Sequence, residues 1–296
     1  MLTQEQVNFY HEHGYVRIPE VFSPQHIQAM RDDLDWMIRV WANVGVGWTG
    51  PWRKQLMDIE TEAKSKLIAM HDLHFYARSW MKAVTDDGLT EAMADLMAGH
   101  DPGSDPADTP VELHHSTMHV KPSETGHPFP MHQDLAFYPH EDNRYCDVLV
   151  HLDDTSDENG EIRFLDASHK LGPLEHICKF VNDDGETESC TPHLDPSQYR
   201  LEDTVAVPAK AGDVVVFNIR TIHGSYINKT NDLRRMVRVG YKHPENVQTG
   251  GQSHLRPGLM VRGRRPRGEG QILFGTGGPT DTVMSEDAEQ FAVKLG

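Results

Sequence analysis

The spacing of apolar positions changes near residue 110 of this chain. Before that point it is helical. Ile27, Met30, Leu34, Met37 and Ile38 recur at three- and four-residue intervals and form one apolar stripe. Ser23-Pro24 ahead of them reads as an N-cap followed by proline at the first helical position. Thr3-x-x-Gln6 reads as a capping box that opens a helix from Gln4 to His13, and Gly14 ends it. Tyr15 to Ile18 is predicted as a short strand, and a further helix is predicted near residues 90–99. After Gly103-Ser-Asp-Pro-Ala-Asp-Thr-Pro110, a loop by its turn formers, the runs are β-like: Val111 to Val120, Asp147 to Leu152, Ile162 to Leu165, Thr204 to Val207, Val214 to Phe217 and Arg235 to Tyr241. Turn signals such as Glu158-Asn-Gly160, Asp183-Asp-Gly185 and Ala211-Gly-Asp213 separate them. Many short strands with turns at modest spacing predict a β-sandwich or barrel. The expected organisation is one domain over 1–296: a mostly helical part over 1–110, a β core over 111–243, and a basic, Gly-rich extension over 244–296 with a helix from Ser285.

Bulk properties narrow the function classes. A chain of 296 residues can bury a substantial core. It has no apolar run long enough for a membrane span, and its first residues lack a secretory layout, so a cytoplasmic protein is expected. Cys146, Cys178 and Cys190 are too few and too scattered for a disulfide framework. A net charge of −17 argues against nucleic acid as a partner and leaves a small molecule as the expected one. The basic segment from Arg256 to Arg267 reads first as a solvated surface stretch. Nothing in the sequence indicates an oligomeric state.

Four stretches read His-x-Asp: His132-Gln-Asp134, His140-Glu-Asp142, His151-Leu-Asp153 and His193-Leu-Asp195. The bare pattern is weak. His193 lies between two prolines and is expected in an exposed loop; His151 runs into a turn; His140 sits in a charged stretch. Only His132 and Asp134 are embedded among apolar residues, here Phe129, Met131, Leu135, Phe137 and Tyr138, which would keep water from a metal. His223, just past the predicted strand Val214 to Phe217, is the candidate third ligand. Two imidazoles and a carboxylate on one face of a metal form the facial triad of non-heme iron(II) oxygenases. A nearby arginine, Arg234 or Arg235, has the planar fork that grips a carboxylate. Strand alternation cannot choose between the two, because they point to opposite faces.

The blocks around these residues resemble the phytanoyl-CoA dioxygenase family. They are Lys121-Pro-Ser-Glu-Thr-Gly126, His132-Gln-Asp-Leu135, Leu152-Asp-Asp with Glu158-Asn-Gly160, Ala167-Ser-His-Lys170, Ala211-Gly-Asp213, and His223-Gly-Ser-x-x-Asn-Lys-Thr230 before Arg234-Arg235. One departure is Leu165-Asp-Ala-Ser168, where the family usually has a Pro-Gly-Ser turn. The resemblance implies a mainly β double-stranded β-helix (jelly roll, cupin-like) with flanking helices. It implies Fe(II), 2-oxoglutarate and O2, with His132, Asp134 and His223 as catalytic metal ligands. It makes Arg234 the anchor of the distal carboxylate of 2-oxoglutarate, with Ser225, Lys121 and Met118 as further co-substrate contacts. The implied reaction is hydroxylation of an unactivated C–H bond in a small molecule, with release of succinate and CO2. The competing readings are a non-catalytic metal- or ligand-binding jelly roll and a cupin-type metalloenzyme that does not use 2-oxoglutarate.

Overall fold

The computed structural model describes residues 2–266 apart from 101, 102, 183, 255 and 257. The helix expected from Ser285 lies outside the described residues. The N-terminal part follows its local signals. Helix α1 (Gln4–His13) opens with both halves of the capping box, Gln6 N–H on Thr3 Oγ1 at 3.2 Å and Thr3 N–H on Gln6 Oε1 at 2.9 Å. Gly14 ends it in the left-handed region, φ 87°. A Cβ there would stand 2.4 Å from His169 Nδ1, so only glycine fits. Strand β1 (Tyr15–Ile18) leads to helix α2 (Pro24–Val40), capped by Ser23 and burying Ile27, Met30, Leu34 and Met37. Strand β2 (Asn43–Gly45), short helices α3 (Arg53–Leu56) and α4 (Ile59–Lys64), strand β3 (Leu67–His71), and helices α5 (Arg78–Val84) and α6 (Asp87–Ala98) complete this part.

The β core comprises β4 (Val111–Val120), β5 (Phe129–His132), β6 (Tyr145–His151), β7 (Ile162–Phe164), β8 (Ile177–Val181), β9 (Thr187–His193), β10 (Val205–Val207), β11 (Val214–Asn218), β12 (His223–Ser225), β13 (Met236–Lys242) and β14 (Leu259–Arg262). The six predicted β runs fall on strands within one or two residues. Strands β5 and β12 have four residues and three, too few for alternation to show. The major sheet runs β1-β11-β6-β13-β4-β3-β2, with β14 also on β4; the minor sheet runs β10-β7-β12-β5. The two face each other as a double-stranded β-helix. Leu149, Val215, Phe217 and Met236 of the major sheet pack between them against Ile162 and Phe164 of the minor one.

The outer face of the major sheet carries the helices. Val148, Val150, Val237 and Val239 pack there with Ile27, Met30, Leu34, Trp80 and Leu96. Met118 belongs to this layer, which corrects its expected place beside the co-substrate. Side chains alternate along β4, so Met118 points at the helices while His119 points between the sheets. His193 is also corrected: it is fully buried at the end of β9, with its Nδ1–H on Thr191 O at 2.8 Å. Two arginines in the described part of the basic segment make ion pairs. Arg256 pairs with Asp72 at 2.6 Å, and Arg265 pairs with Glu112. In the departing turn Ala167 takes the left-handed conformation, φ 54°, so the turn is kept without glycine. Among the described residues no helix is long and apolar enough to cross a membrane.

Leu34 is fully buried between α2 and the sheet. Leu34→Ala is expected to lower unfolding stability by about 2–5 kcal/mol through lost burial and a residual cavity. Urea-unfolding midpoints check this, and an unchanged midpoint would show that the helical layer does not brace the β core.

Candidate active site

Antiparallel pairing of β5 with β12 sets His132 directly across from His223. Each imidazole is held the same way. His132 donates Nδ1–H to Pro130 O at 2.7 Å, and His223 donates Nδ1–H to Thr221 O at 3.0 Å. A carbonyl can only accept, so each Nε2 is left with its lone pair facing inward. Burial, then the neighbouring His132, holds the His223 imidazole down at about 3, so it is neutral, as a metal ligand must be. Asp134 follows in a 3-10 turn (Asp134–Ala136). Gln133 fixes that turn: its side-chain amide donates to Gly172 O at 2.9 Å and Arg220 O at 2.7 Å, and its carbonyl accepts from Leu174 N.

Asp134 Oδ1 lies 3.5 Å from His132 Nε2 and 3.9 Å from His223 Nε2. Ligand atoms of the three residues all fall within 4.8 Å of one another, and all three are buried. Among the described residues no other histidine, cysteine or acidic group forms such a cluster. His140, His151 and His193 are each apart from it. Two imidazole nitrogens and one carboxylate oxygen suit a divalent metal that keeps positions open for other ligands.

Arg238 was not found by sequence reasoning. Its Nη1 forms an ion pair with Asp134 Oδ2 at 2.7 Å, leaving Oδ1 to the two histidines. Nη1 also donates to the Tyr138 hydroxyl, which donates in turn to Asp147 at 3.1 Å, and Nη2 donates to His115 Nε2 at 3.2 Å. Burial by itself would raise the Asp134 carboxyl; Arg238, aided by His132 and His223, holds it well below the ordinary range. Asp147 goes the other way, pushed well above that range by burial and the nearby Asp134 charge. The signal was available in part. Arg234 in the extended segment just before β13, then Met236 and Arg238 within it, alternate, so an inward Arg234 makes Arg238 inward too.

Trp48 was missed as well. Its ring lies 4.6 Å from the His132 ring and 4.8 Å from that of Phe137, covering the metal ligands. Arg53 holds its segment by donating to Val46 O and Trp48 O, each at 3.0 Å.

Burial separates Arg234 from Arg235. Arg235 points outward, to Asp35 at 2.8 Å and Asp153 at 3.2 Å. Arg234 is 3% exposed, and among the described residues it has no carboxylate at ion-pair distance. Its Nη1 meets Met236 Sδ at 3.2 Å, and Nε has no partner. Burial pulls its guanidinium down to about 10. Lys121 pairs with Arg234 through the backbone, and its ammonium donates to Ser225 Oγ at 2.7 Å and to Tyr226 O. Burial, then Arg234, lowers it well below the usual lysine value. Ser225 and Met236 both line the triad cavity, so this basic cluster borders it. An unpaired buried guanidinium is costly and suits an incoming carboxylate.

Comparison with known proteins agrees with this geometry. The family model described as phytanoyl-CoA dioxygenase matches residues 10–236. The chain belongs to the phytanoyl-CoA dioxygenase family. It is an iron- and 2-oxoglutarate-dependent dioxygenase. The dioxygenase is 28% identical to a protein of Stutzerimonas stutzeri named probable alpha-ketoglutarate-dependent hypophosphite dioxygenase, over 80% of this chain and 77% of that one. It is 23% identical to an L-proline trans-4-hydroxylase of Streptomyces griseoviridis, covering 85% and 90%. The fold of the dioxygenase matches that of EctD from S. alaskensis, solved with 2-oxoglutarate and 5-hydroxyectoine, at a TM-score of 0.61 with 20% identity, covering 90% and 86%.

Arg238→Met leaves Asp134 Oδ2 buried without its counter-charge. Metal affinity is expected to fall roughly 10- to 100-fold, as for other residues that brace metal ligands. Titration of the metal-free dioxygenase with Co(II), followed by its visible absorption, measures this; equal affinities would remove Arg238 from the metal centre.

Proposed function

We propose that this dioxygenase hydroxylates a C–H bond of a small molecule, converting substrate R–H, O2 and 2-oxoglutarate to R–OH, succinate and CO2. The observation that carries the reading is the convergence of His132, Asp134 and His223 beside a buried, unpaired Arg234. The small-molecule hydroxylase and dioxygenase relatives support it.

In this reading His132, His223 and Asp134 Oδ1 would hold Fe(II). Bound iron supplies oxygen activation coupled to oxidative decarboxylation of 2-oxoglutarate. Arg234 grips the distal carboxylate of the co-substrate by its guanidinium fork, and Ser225 adds a hydroxyl donor. Lys121 acts through Ser225, holding its hydroxyl oxygen. Arg238 engages Asp134 Oδ2, so Oδ1 is the oxygen that would face the metal. Trp48 and Phe137 cover the ligands and keep water out, which protects the oxidising chemistry from side reactions. A metal triad beside a buried arginine without a counter-ion speaks against a non-catalytic metal- or ligand-binding jelly roll and against a cupin-type metalloenzyme that does not use 2-oxoglutarate.

His132→Ala is expected to abolish succinate formation from 2-oxoglutarate, because two of three ligands cannot hold the ion. Arg234→Ala should raise the 2-oxoglutarate requirement roughly 10- to 100-fold, the loss of a charge-assisted hydrogen bond, with less effect at saturation. Succinate assays over a range of 2-oxoglutarate concentrations test both. Full turnover in the first variant, or an unshifted KM in the second, would overturn the corresponding role.

A further inference from the structure

Strand β4 turns every second side chain into the space between the sheets. Met118 points at the helices, so Thr117, His119 and Lys121 point inward. Lys121 is committed to Ser225 and Tyr226. Thr117 Oγ1 shares a hydrogen bond with His71 Nδ1 at 3.0 Å. His119 lines the triad cavity with Trp48, His132, Asp134 and Arg238, and among the described residues neither of its ring nitrogens has a hydrogen-bond partner. Its ring stacks on Phe129, with 5.3 Å between centroids.

Exposure across the major sheet shows where the cavity opens. Strands β6 and β13 are buried throughout. On β4, His119 is the one residue that is not. On β3 the inward pair is half-buried Ala69 and exposed His71, whereas Ile68 and Met70 belong to the helical core. The cross-strand partner of His119 is Ala69. A methyl group is too short to cover an imidazole, so His119 stands at the opening, between solvent and the metal ligands. Trp48, also half-buried, borders the same opening: its ring meets Phe129, on which His119 stacks, at 5.0 Å.

The groups around this opening favour one kind of ligand. His71, Thr117 and Arg238 form a row across β3, β4 and β13. Two carboxylates border it, and both are engaged: Asp134 by Arg238 at 2.7 Å, and Asp72, next to His71, by Arg256 at 2.6 Å. An entering ammonium would meet imidazoles and an arginine. An oxyanion would meet hydrogen-bond donors. Removal from water, then the charge of Arg238, holds the His119 imidazole well below its ordinary value, so it is neutral with one N–H to donate. We propose that His119 donates a hydrogen bond to an oxyanion of the substrate, a carboxylate or phosphonate oxygen, and holds it beside the metal ligands. The assignment rests on the function proposed above and names its substrate class, a small organic acid.

The test is anaerobic titration of the enzyme loaded with Fe(II) and 2-oxoglutarate, following the shift of its visible charge-transfer band as a ligand enters beside the iron. The probes are propanoate to hexanoate, the matching alkylphosphonates and the matching primary amines. The wild type should respond to acids and not to amines, and the kind of acid that responds separates carboxylate from phosphonate. His119→Leu should bind the responding acid roughly tenfold or more weakly, and His119→Gln should recover part of the loss. Both variants should form the band with 2-oxoglutarate as the wild type does. A response to amines, no response to any acid, or equal acid affinity in His119→Leu would refute the contact while leaving the enzyme class intact. Weakened 2-oxoglutarate binding in His119→Leu would refute it too, by placing the residue with the co-substrate. A wild-type protein that forms no band with 2-oxoglutarate would overturn the wider assignment and this one together.

Discussion

Two short strands carry the active site. Pairing β5 with β12 brings His132 and His223 face to face, although they are ninety-one positions apart in the chain. Each is then locked by a hydrogen bond to the carbonyl two residues before it. That single local bond fixes ring orientation, so both Nε2 atoms are presented to the space between the sheets. A one-residue slip of β12 would turn His223 to the opposite face. Much of the surrounding structure guards that register. Thr221 donates through its hydroxyl to Gly14 O at 2.7 Å, and Ile222 N–H donates to Ser168 Oγ at 2.8 Å. The end of helix α1 thereby braces the segment that delivers His223.

Charge is handled in the interior by division. Two arginines face inward here, Arg234 just before strand β13 and Arg238 within it, with Met236 between them. Arg238 is compensated by Asp134, and through Tyr138 and His115 it is tied into a buried polar network. Among the described residues Arg234 has no such counter-ion. The same side-chain type thus serves two purposes four residues apart. The difference lies in what the facing strands offer: a carboxylate at one end, and at the other a lysine already engaged by Ser225 and Tyr226.

Burying an unpaired guanidinium and an unbonded imidazole is costly. The helical layer makes it possible. Its apolar stripe and the outer face of the major sheet form a large core that is separate from the reactive space. Stability is concentrated on that side, and the inner side can keep polar groups whose partners arrive only with ligands. Met118 illustrates the partition: one residue along β4 from His119, it belongs wholly to the stabilising layer.

The sequence by itself determined the local structure and the candidate metal ligands. Capping residues, apolar spacing and turn formers place the first two helices, strand β1 and six strands of the β core, because these depend on neighbours a few positions away. The apolar setting of His132-x-Asp134, with His223 and the family-like blocks, singled out the triad among four similar stretches. Only the tertiary structure decided which arginine of the adjacent pair faces inward, that Met118 faces the helices, that His193 is buried, and that Arg238 and Trp48 belong to the site. Those outcomes depend on strand register and on which layer covers each face. Such contacts join residues far apart in the chain, and no local pattern encodes them.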